Sequence, residues 1–333
     1  MSVRAAINGF GRIGRNVLRS IVESGRDDIE IVAINDLGPI ETNAHLLRFD
    51  SVHGRFPRKV EVVGGGIDIG YGPIRVTALR DPKELPWADV DVALECTGVF
   101  KDREKAERHL QNGSRRVLIS APGDGADRTV VYGVNHADLR PADRVISNAS
   151  CTTNCLAPLA MVMDEAFGLM KGHMVTVHSY TGDQPILDKL HRDLYRSRAA
   201  AMSMVPTSTG AVSALKRVLP NLADRIDGAS VRVPTPNVSL VDLTFLAGRK
   251  VTVDEVNAAA KAASEGPLKG VFVYDEAPKV SIDYNHDGAS ASFAANETSV
   301  VGGDFVRVVA WYDNEWGFSC RMADIAALVG RLG

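Results

Sequence analysis

A glycine-rich turn near the start of the chain limits the possible folds more than any other feature. Gly9, Gly11 and Gly14 form the pattern G-x-G-x-x-G, which follows an apolar run of strand length and precedes apolar residues at helical spacing. Such a turn uses glycine for its tight bend, for close approach of a phosphate, and for packing helix against strand. Asp36 ends the next apolar run, 22 residues after Gly14 (36 − 14), close to the roughly 20 typical of this pattern. These features predict a dinucleotide-binding βαβ unit.

The spacing also indicates which groups of a dinucleotide the turn and Asp36 would bind. The first turn of the following helix would offer N–H groups and a partial positive charge to phosphates. Asp36 could accept hydrogen bonds from the hydroxyls of an adenosine ribose. The alternative is a glycine-rich turn in some other α/β protein, but strand, glycines, helix, strand and acid occur in the expected order. The pattern therefore favours an NAD(P) site.

The rest of the chain predicts two domains, as expected for 333 residues. Short apolar runs alternate with helical stretches in residues 1–150, which predicts an α/β domain with a Rossmann-type, doubly wound parallel sheet. Strand-like runs dominate residues 151–316, which predicts an α+β domain with a large, mostly antiparallel sheet. The runs used are 3–8, 29–34, 74–78, 90–95, 116–120, 129–132, 144–147, 175–180, 231–233, 238–247, 279–284 and 305–312, with helices at 102–111 and 317–332.

Charge and hydropathy exclude some classes of function. Lys and Arg (38) nearly balance Asp and Glu (41), so the net charge of −3 gives no reason to expect nucleic acid or a membrane as the main partner. The chain has no run of 18 apolar residues and no signal-like amino terminus, and we expect nothing to be removed from it. The four scattered cysteines do not form a disulfide framework, and they favour a cytoplasmic protein with reduced thiols.

Cys151 is the best candidate for a nucleophile. It lies at the predicted start of a helix, after the helix-capping types Asn148 and Ser150. The helix dipole and free N–H groups at that position are expected to lower the pKa of the thiol. The other cysteines are interpreted as small buried hydrophobes, and no cysteine or histidine spacing indicates a metal site.

His178, in an apolar run of strand length, is the best candidate for a base that activates the thiol. A nucleotide domain followed by a reactive thiol indicates oxidation of an aldehyde. The thiolate would attack the aldehyde to give a thiohemiacetal, hydride would leave to nicotinamide, and a second nucleophile would cleave the resulting thioester.

These residues lie in a sequence that resembles phosphorylating glyceraldehyde-3-phosphate dehydrogenases along nearly its whole length. The similar segments are INGFGRIGRN (7–16), HGRF (53–56), CTGVF (96–100), ISAP (119–122), GVNH (133–136), SNASCTTNCLAP (147–158), HSYTGDQ (178–184), PTSTGA (206–211), RVPTPNVS (232–239) and WYDNEWGFS (311–319). The resemblance implies oxidative phosphorylation of glyceraldehyde 3-phosphate to 1,3-bisphosphoglycerate with NAD, or with NADP.

The resemblance also implies a role for individual residues. It makes Cys151 the nucleophile and His178 its base. The implied cofactor contacts are Gly9, Phe10, Gly11, Arg12, Ile13, Gly14, Asp36, Thr97, Ser120 and, for the nicotinamide amide, Asn314. The implied contacts of inorganic phosphate are Ser150, Thr152, Thr209 and Gly210, and those of the substrate's phosphate are Thr181, Arg198 and Arg232.

The architecture of the family adds two further expectations. The chain should form a homotetramer in which a loop at about 180–205 lies near the cofactor of a neighbouring subunit. The carboxy-terminal segment, residues 317–333, should pack back on the first domain as a helix.

Some positions depart from the family pattern. Phe318 replaces a tyrosine near the nicotinamide, and Gly182 replaces an asparagine that bonds the cofactor. Asp36 and Leu37 favour NAD over NADP, whereas Lys189 replaces a leucine and could partly neutralise the 2′-phosphate of NADP.

Two rival functions stay open on the sequence. An erythrose-4-phosphate dehydrogenase would use water instead of phosphate, although the run from Thr207 to Gly210 favours phosphate. A non-catalytic binding protein on the same fold would have no need of Cys151, His178 and the arginines together.

Overall fold

The computed structural model describes residues 2–332 and divides them into two compact units. The first unit contains the residues up to Tyr132, His136–Ala149, and the stretch from Ser319 onward. The second contains Gly133–Asn135 and Ser150–Phe318. The α-helices are α1 (Arg12–Glu23), α2 (Ile40–Arg48), α3 (Arg103–Ala106), α4 (Arg108–Gln111), α5 (Cys151–Phe167), α6 (Ala211–Val218), α7 (Val253–Glu265) and α8 (Trp316–Gly330).

The first unit is built on a sheet whose central strands are parallel, as the alternating pattern predicts. Its strands are β1 (Val3–Asn8), β2 (Ile29–Asn35), β5 (Glu61–Val63), β6 (Gly66–Asp68), β7 (Pro73–Thr77), β8 (Val92–Glu95), β9 (Arg116–Ile119), β10 (Arg128–Thr129) and β11 (Val145–Ser147), and β3 (Phe49–Asp50) pairs with β4 (Gly54–Arg55). The order in the sheet is β10-β11-β9-β8-β1-β2-β7-β6-β5. Parallel pairing runs from β10 to β7, and only β7-β6-β5 is antiparallel. The Rossmann-type prediction is confirmed.

Strand β1 occupies the centre of that sheet because its side chains are apolar on both faces. Ala5, Ala6 and Ile7 are fully buried, as expected for a parallel strand covered by helices on two sides. The later residues of α8 belong to the same unit. An added Cβ on Gly330 would overlap the side chain of Val3, and Arg331 pairs with Asp28 at 2.8 Å.

The second unit contains a mostly antiparallel sheet, as predicted. Its strands are β12 (Leu169–Ser179), β13 (Val205–Thr207), β14 (Ile226–Val233), β15 (Ser239–Ala247), β16 (Phe272–Asp275), β17 (Ala291–Ala294), β18 (Ser299–Val301) and β19 (Phe305–Tyr312). They lie in the order β13-β14-β12-β15-β19-β17-β16, with β18 on β19. Helix α5 packs against β12, β15, β17 and β19, which buries Leu156, Leu159 and Met163 completely.

Some predicted elements are wrong in type or extent. The run 279–284 is not a strand but contains a 3-10 helix, Ser281–Tyr284, where the side chain of Asp283 accepts a hydrogen bond from the backbone N–H of Val280. The predicted helix 102–111 is split into α3 and α4. Helices α2, α6 and α7 were not predicted. Helix α7 has few buried apolar residues, Val256 and Ala260 among them, so its sequence shows only a weak helical pattern.

Within residues 2–332, no helix is both long enough and apolar enough to span a membrane. The same residues contain no cluster of three or more histidine, cysteine or acidic side chains arranged to bind a metal ion.

Candidate active site

The glycine-rich turn of the first unit has the shape that a dinucleotide requires. Gly9 has a positive φ of 90°, and an added Cβ would lie 2.7 Å from the backbone nitrogen of Thr97. An added Cβ on Gly14 would overlap the carbonyl oxygen of Gly9. An added Cβ on Gly11 would meet nothing within 4 Å, so the open side of the turn lies there. Gly9 and Gly14 are therefore required by packing, and Gly11 leaves space for a pyrophosphate.

The surroundings of the turn also fit NAD. The N-cap residue of α1 is Gly11, which makes no side-chain capping bond, and helix amino termini of this kind bind phosphate oxygens. The carboxylate of Asp36 accepts hydrogen bonds from the backbone N–H of Phe10 at 2.8 Å and of Gly38 at 2.9 Å. These bonds fix the carboxylate beside the turn.

Three other predicted cofactor residues follow parallel strands of the same sheet. Asp36 follows β2, Thr97 follows β8 and Ser120 follows β9, so all lie at the carboxyl edge where open α/β sheets bind ligands. Thr97 is held by Glu95, which accepts hydrogen bonds from its hydroxyl and, at 2.9 Å, from its backbone N–H. Ile13 lies in the first turn of α1.

Arg12 is held in place by an acid that the sequence did not indicate. Its guanidinium donates a hydrogen bond to Asp50, whose carboxylate also accepts from the backbone N–H groups of Val52 and His53. Burial alone would raise the pKa of Asp50, but Arg12 and the two N–H groups outweigh it and lower the pKa to about 2.

Cys151 is the first residue of α5, as predicted. The side chain of Ser150 caps this helix by accepting a hydrogen bond from the backbone N–H of Thr153 at 3.0 Å. Cys151 is partly exposed, whereas Cys155, one turn further along, is fully buried. The Sγ atom of Cys155 lies 3.9 Å from the carbonyl oxygen of Ala310. Of these two cysteines, Cys151 is therefore the one that a substrate can reach.

His178 lies near the end of β12 and faces the thiol. Its Nε2 atom is 3.5 Å from Sγ of Cys151, and its Nδ1 atom is 2.7 Å from the carbonyl oxygen of Ser179. A carbonyl oxygen can only accept, so Nδ1 carries the proton of a neutral ring and Nε2 is left as an acceptor. This tautomer directs the basic nitrogen at the thiol.

The predicted low pKa of the thiol is not what the structure gives. Burial raises the pKa of Cys151, and the nearby Arg232 guanidinium opposes that effect only in part. Burial, with a further contribution from Arg232, lowers the pKa of His178 to about 3. The resting pair is therefore a thiol beside a neutral imidazole, because desolvation outweighs the helix start.

Tyr312 is a member of the site that the sequence analysis missed. Its hydroxyl lies 2.9 Å from the hydroxyls of both Thr152 and Thr176. Its ring is 6.0 Å from that of His178 and nearly perpendicular to it. Tyr312 therefore links the strand carrying His178 to the helix carrying Cys151, and it engages the hydroxyl of Thr152 that was predicted to bind phosphate.

A cluster of charged groups lies beside the Cys151–His178 pair. Nη1 of Arg232 donates to the carbonyl oxygen of Ser179 at 3.0 Å and to the hydroxyl of Thr181 at 2.9 Å. Among the described residues, Nε of Arg232 is buried without a hydrogen-bond partner. Thr181 in turn donates to Asp183. The predicted pair of Thr181 and Arg232 is thus brought together, and the Nε–H of Arg232 is left to donate to a ligand.

Arg196, and not the predicted Arg198, joins this cluster. Arg196 donates to Asp183 at 2.8 Å and to the hydroxyl of Thr207 at 2.9 Å. Burial lowers the pKa of Arg232, and the positive charge of Arg196 lowers it further, so the two guanidiniums are close enough to repel. Arg198 pairs instead with Asp188 at 2.7 Å, where both side chains are more than half exposed. Two converging arginines are a suitable receptor for a phosphate.

The remaining predicted phosphate contacts lie at two helix starts. The hydroxyl of Thr209 accepts a hydrogen bond from the backbone N–H of Ala211 at 3.1 Å. Gly210 precedes α6, and an added Cβ there would meet nothing within 4 Å. The hydroxyl of Thr153 lies 3.5 Å from the carbonyl oxygen of Ala211, so the starts of α5 and α6 are neighbours.

Asn314 is buried and its amide is oriented. Its Oδ1 atom accepts hydrogen bonds from the hydroxyls of Ser179 at 2.9 Å and Ser239 at 2.8 Å. The donor side of the amide, Nδ2, must therefore point away from both serines. Phe318 is buried, and Gly182 is exposed with open space around its Cα atom.

Two sequence models of one protein family match the chain. Residues 3–103 match the NAD binding domain of glyceraldehyde 3-phosphate dehydrogenase, and residues 150–314 match its C-terminal domain.

Full-length relatives agree with this match. The chain is 66% identical over 332 residues to a glyceraldehyde-3-phosphate dehydrogenase of Cereibacter sphaeroides, with 100% of each chain covered. It is 62% identical over 335 residues to one of Xanthobacter flavus and 52% identical over 336 residues to one of Geobacillus stearothermophilus, again with 100% of each chain covered.

Proposed function

Because the chain belongs to the glyceraldehyde-3-phosphate dehydrogenase family, we propose that it oxidises glyceraldehyde 3-phosphate and phosphorylates it to 1,3-bisphosphoglycerate, with NAD as the cofactor. One observation carries the proposal: Nε2 of His178, the acceptor nitrogen of its ring, lies 3.5 Å from Sγ of Cys151 at the start of a helix. A base aimed at the thiol of an accessible cysteine is the arrangement that covalent aldehyde oxidation needs.

NAD, when bound, supplies the hydride acceptor. The residues that would hold it are those of the turn from Gly9 to Gly14, with Asp36 on the adenosine ribose and Thr97 and Ser120 along the same sheet edge. Asn314 would donate from Nδ2 to the carbonyl oxygen of the nicotinamide amide, since its Oδ1 is already taken by two serine hydroxyls.

Cys151 and His178 carry the covalent steps. His178 Nε2 takes the proton of the thiol as sulfur bonds to the aldehyde carbon, and it returns that proton to the carbonyl oxygen to give a thiohemiacetal. The same nitrogen removes the hydroxyl proton when the carbon loses its hydride, which leaves a thioester on Cys151. The Nδ1–H bond to Ser179 stabilises the positive charge that the ring carries in each step.

Inorganic phosphate then attacks the thioester carbon. A phosphate oxygen bonds to that carbon, the carbon–sulfur bond breaks, and Cys151 leaves as a thiolate. The neighbouring starts of α5 and α6 support a phosphate site made of Ser150, Thr152, Thr209 and Gly210, because helix amino termini bind anions. The hydroxyls of Thr152 and Thr209 already have partners within the protein, so they would share those hydrogen bonds with phosphate.

The phosphate of the substrate requires a separate cationic site. Arg232 and Thr181 support it directly, since the Nε atom of Arg232 has no partner among the described residues. We add Arg196 to this site, in place of Arg198, because Arg196 shares Asp183 with Thr181.

The relatives favour phosphate over water as the acyl acceptor. The relatives of Cereibacter sphaeroides, Xanthobacter flavus and Geobacillus stearothermophilus, which match over the full chain, are all named glyceraldehyde-3-phosphate dehydrogenases. The same observations disfavour a non-catalytic binding protein, which would gain nothing from an oriented base beside a thiol.

The oligomeric state proposed is a homotetramer. Large apolar side chains are exposed along the segment that contains the family's inter-subunit loop, and Leu190 is 100% exposed. These side chains are Ile186, Leu187, Leu190, Leu194, Tyr195, Met202 and Met204. Such a patch favours burial against another copy, and light scattering after gel filtration would measure the mass. The proposed location is the cytoplasm, where the four free thiols would stay reduced.

An absorbance assay tests the function directly. Purified protein with glyceraldehyde 3-phosphate and NAD should form NADH rapidly only when inorganic phosphate is present, and the product should be an acyl phosphate. NADH formation that ignores phosphate, with a free acid as product, would instead indicate the hydrolytic erythrose-4-phosphate type of reaction.

A further inference from the structure

Asp313 is a buried carboxylate that ties together three separate segments of the second unit. It is 1% exposed. Its Oδ1 atom accepts hydrogen bonds from the backbone N–H groups of Glu315 at 2.9 Å and Trp316 at 2.7 Å. Its Oδ2 atom accepts from Nδ2 of Asn237 and from the backbone N–H of His286, both at 2.7 Å. One side chain therefore joins the start of α8 to two loops that are distant in sequence.

Both loops have strained backbone where Asp313 holds them. Val238 has a φ of 69° and His286 a φ of 70°, values that a β-branched residue such as valine rarely adopts. Val238 lies between Asn237, which donates to Asp313, and Ser239, which donates to Asn314. Strained residues of this kind persist only where their surroundings determine them, and they cluster at ligand sites.

The position of the Asn314 amide depends on the same contacts. Asn314 follows Asp313 directly, and its Oδ1 atom is fixed by the hydroxyl of Ser239, two residues after Asn237. The carboxylate thus holds the backbone on which Asn314 sits and the strained turn that supplies one of its two hydroxyl partners. If the turn relaxed, the direction of Nδ2 would no longer be fixed.

We propose that Asp313 is a positioning residue for the nicotinamide end of NAD, acting through the amide of Asn314. The proposal rests on the proposed function, because it assigns to Asn314 the nicotinamide amide as its ligand. In this role Asp313 does not itself touch the cofactor. It sets the direction of the Asn314 donor before the cofactor binds, which lowers the cost of ordering that group on binding.

The chemistry of the four contacts requires a carboxylate and not merely a polar group of that shape. All four partners donate N–H groups, and an ionised carboxylate has two oxygens that can accept two bonds each. An asparagine has the same size, but its NH2 group would face two of the donors. Asp313→Asn therefore removes two bonds and opposes two N–H groups without changing the volume of the side chain.

Comparing the binding of NAD with that of ADP-ribose distinguishes a positioning role of Asp313 from a general structural role. Isothermal titration would measure Kd for NAD and for ADP-ribose, which lacks the nicotinamide, in the wild type and in Asp313→Asn. We expect NAD to bind roughly 3- to 10-fold more weakly to the variant, about the worth of one neutral hydrogen bond, with the Kd of ADP-ribose unchanged. The matched control is Asp287→Asn, because Asp287 follows His286 directly but accepts its hydrogen bonds from Ala289 and Ser292 and not from the groups that Asp313 holds. It should change neither Kd.

A double-mutant cycle tests whether the effect passes through Asn314. Once Asn314→Ala has removed the amide, adding Asp313→Asn should weaken NAD binding no further. Equal weakening of NAD and ADP-ribose, no weakening of either, or full additivity in the cycle would each overturn the proposal.

A second variant covers the case in which Asp313→Asn does not fold. Asn237→Ala keeps the carboxylate and removes one of its donors, so it should cause the same selective loss for NAD to a smaller extent. If a folded Asn237→Ala protein shows no selective loss of affinity for NAD, that result counts against the proposal. These binding measurements do not depend on turnover, so a wild-type protein that binds NAD but lacks phosphate-dependent dehydrogenase activity would refute the proposed function alone.

Discussion

His178 and Arg232 share one hydrogen-bond acceptor, the carbonyl oxygen of Ser179. Nδ1 of His178 lies 2.7 Å from it and Nη1 of Arg232 lies 3.0 Å from it. A single backbone atom thereby fixes the tautomer of the base and places a permanent positive charge beside the thiol. The base and the cation are positioned by adjacent strands, since Cα pairing puts His178 of β12 opposite Arg232 of β14.

The two cysteines of α5 should differ sharply in their importance. Cys151→Ser should lower kcat by roughly 10⁴-fold or more, because a hydroxyl is a far weaker nucleophile than a thiolate. Cys155→Ser is the matched control and should retain most activity, since Cys155 is fully buried in packing contacts. Steady-state assays and iodoacetamide labelling followed by peptide mapping would measure both. Inactivation that tracks labelling of Cys155 would reverse the assignment.

Removing the base should slow two different reactions. His178→Asn should lower kcat by about 10²- to 10⁴-fold, the usual contribution of a positioned general base. It should also slow alkylation of Cys151 at neutral pH, because Nε2 lies 3.5 Å from Sγ and can accept its proton. An alkylation rate equal to that of the wild type would remove His178 from the activating role and leave it only as a structural neighbour.

The pH dependence of alkylation should reveal the burial of the thiol. Burial raises the pKa of Cys151 and Arg232 lowers it, so in the absence of ligands the alkylation rate should keep rising beyond the pH range of an ordinary thiol. Arg232→Ala removes the opposing charge and should shift the profile to still higher pH, while Arg232→Lys should shift it less. A wild-type rate that levels off at or below neutral pH would contradict this account.

Much of the fold follows from local patterns in the sequence. The strands β1, β2 and β19 are apolar runs of strand length that were predicted nearly to their ends, and the start of helix α5 was predicted at Cys151. Ser281–Tyr284 was predicted wrongly as part of a strand because its apolar spacing fits either element, and the contact of Asp283 with the backbone decides for a 3-10 helix. Register and strand order depend on long-range pairing, which no local pattern contains.

In the candidate site, too, local sequence patterns predict some residues but not those that depend on long-range contacts. Cys151, His178 and the glycine-rich turn are indicated by position on a helix or a strand, which sequence can show. Arg196 and Arg198 lie two residues apart in an irregular loop, so periodicity cannot tell which of them faces Arg232. The raised pKa of the thiol depends on burial in three dimensions, and for that reason the helix-start argument alone predicted the wrong direction.

Substitution of Arg196 and substitution of Arg198 should have different effects on KM for glyceraldehyde 3-phosphate. Arg196→Ala should raise KM for glyceraldehyde 3-phosphate by roughly 10- to 100-fold, as expected for a charged hydrogen bond to phosphate worth about 1.5–3 kcal/mol. Arg198→Ala should change KM little, because its pair with Asp188 is exposed. Kinetics with glyceraldehyde, which lacks the phosphate, provide the control, since neither variant should affect them much. A larger effect at Arg198 would restore the assignment based on resemblance.

Cofactor preference should depend on Asp36 more than on Lys189. The carboxylate of Asp36 is fixed by two backbone N–H groups, where it can bond a free 2′-hydroxyl and would repel a 2′-phosphate. The neighbouring Leu37 is 54% exposed and offers that phosphate no donor. We therefore expect kcat/KM to be higher for NAD than for NADP in the wild type, and Asp36→Ala to reduce the difference mainly by losing activity with NAD.

A substitution at Lys189 tests whether this residue favours NADP. It lies on the exposed loop that, in the proposed tetramer, approaches the adenosine ribose of a neighbouring subunit. Its backbone N–H is bonded to the carbonyl oxygen of Ser197 at 2.9 Å, so the loop is anchored while the side chain is exposed. Exposed lysines usually contribute little, and Lys189→Ala should leave the ratio of kcat/KM for NAD and NADP within about twofold of the wild type. A selective loss of NADP activity would show that this lysine binds the 2′-phosphate, and equal wild-type values for the two cofactors would refute the preference assigned to Asp36.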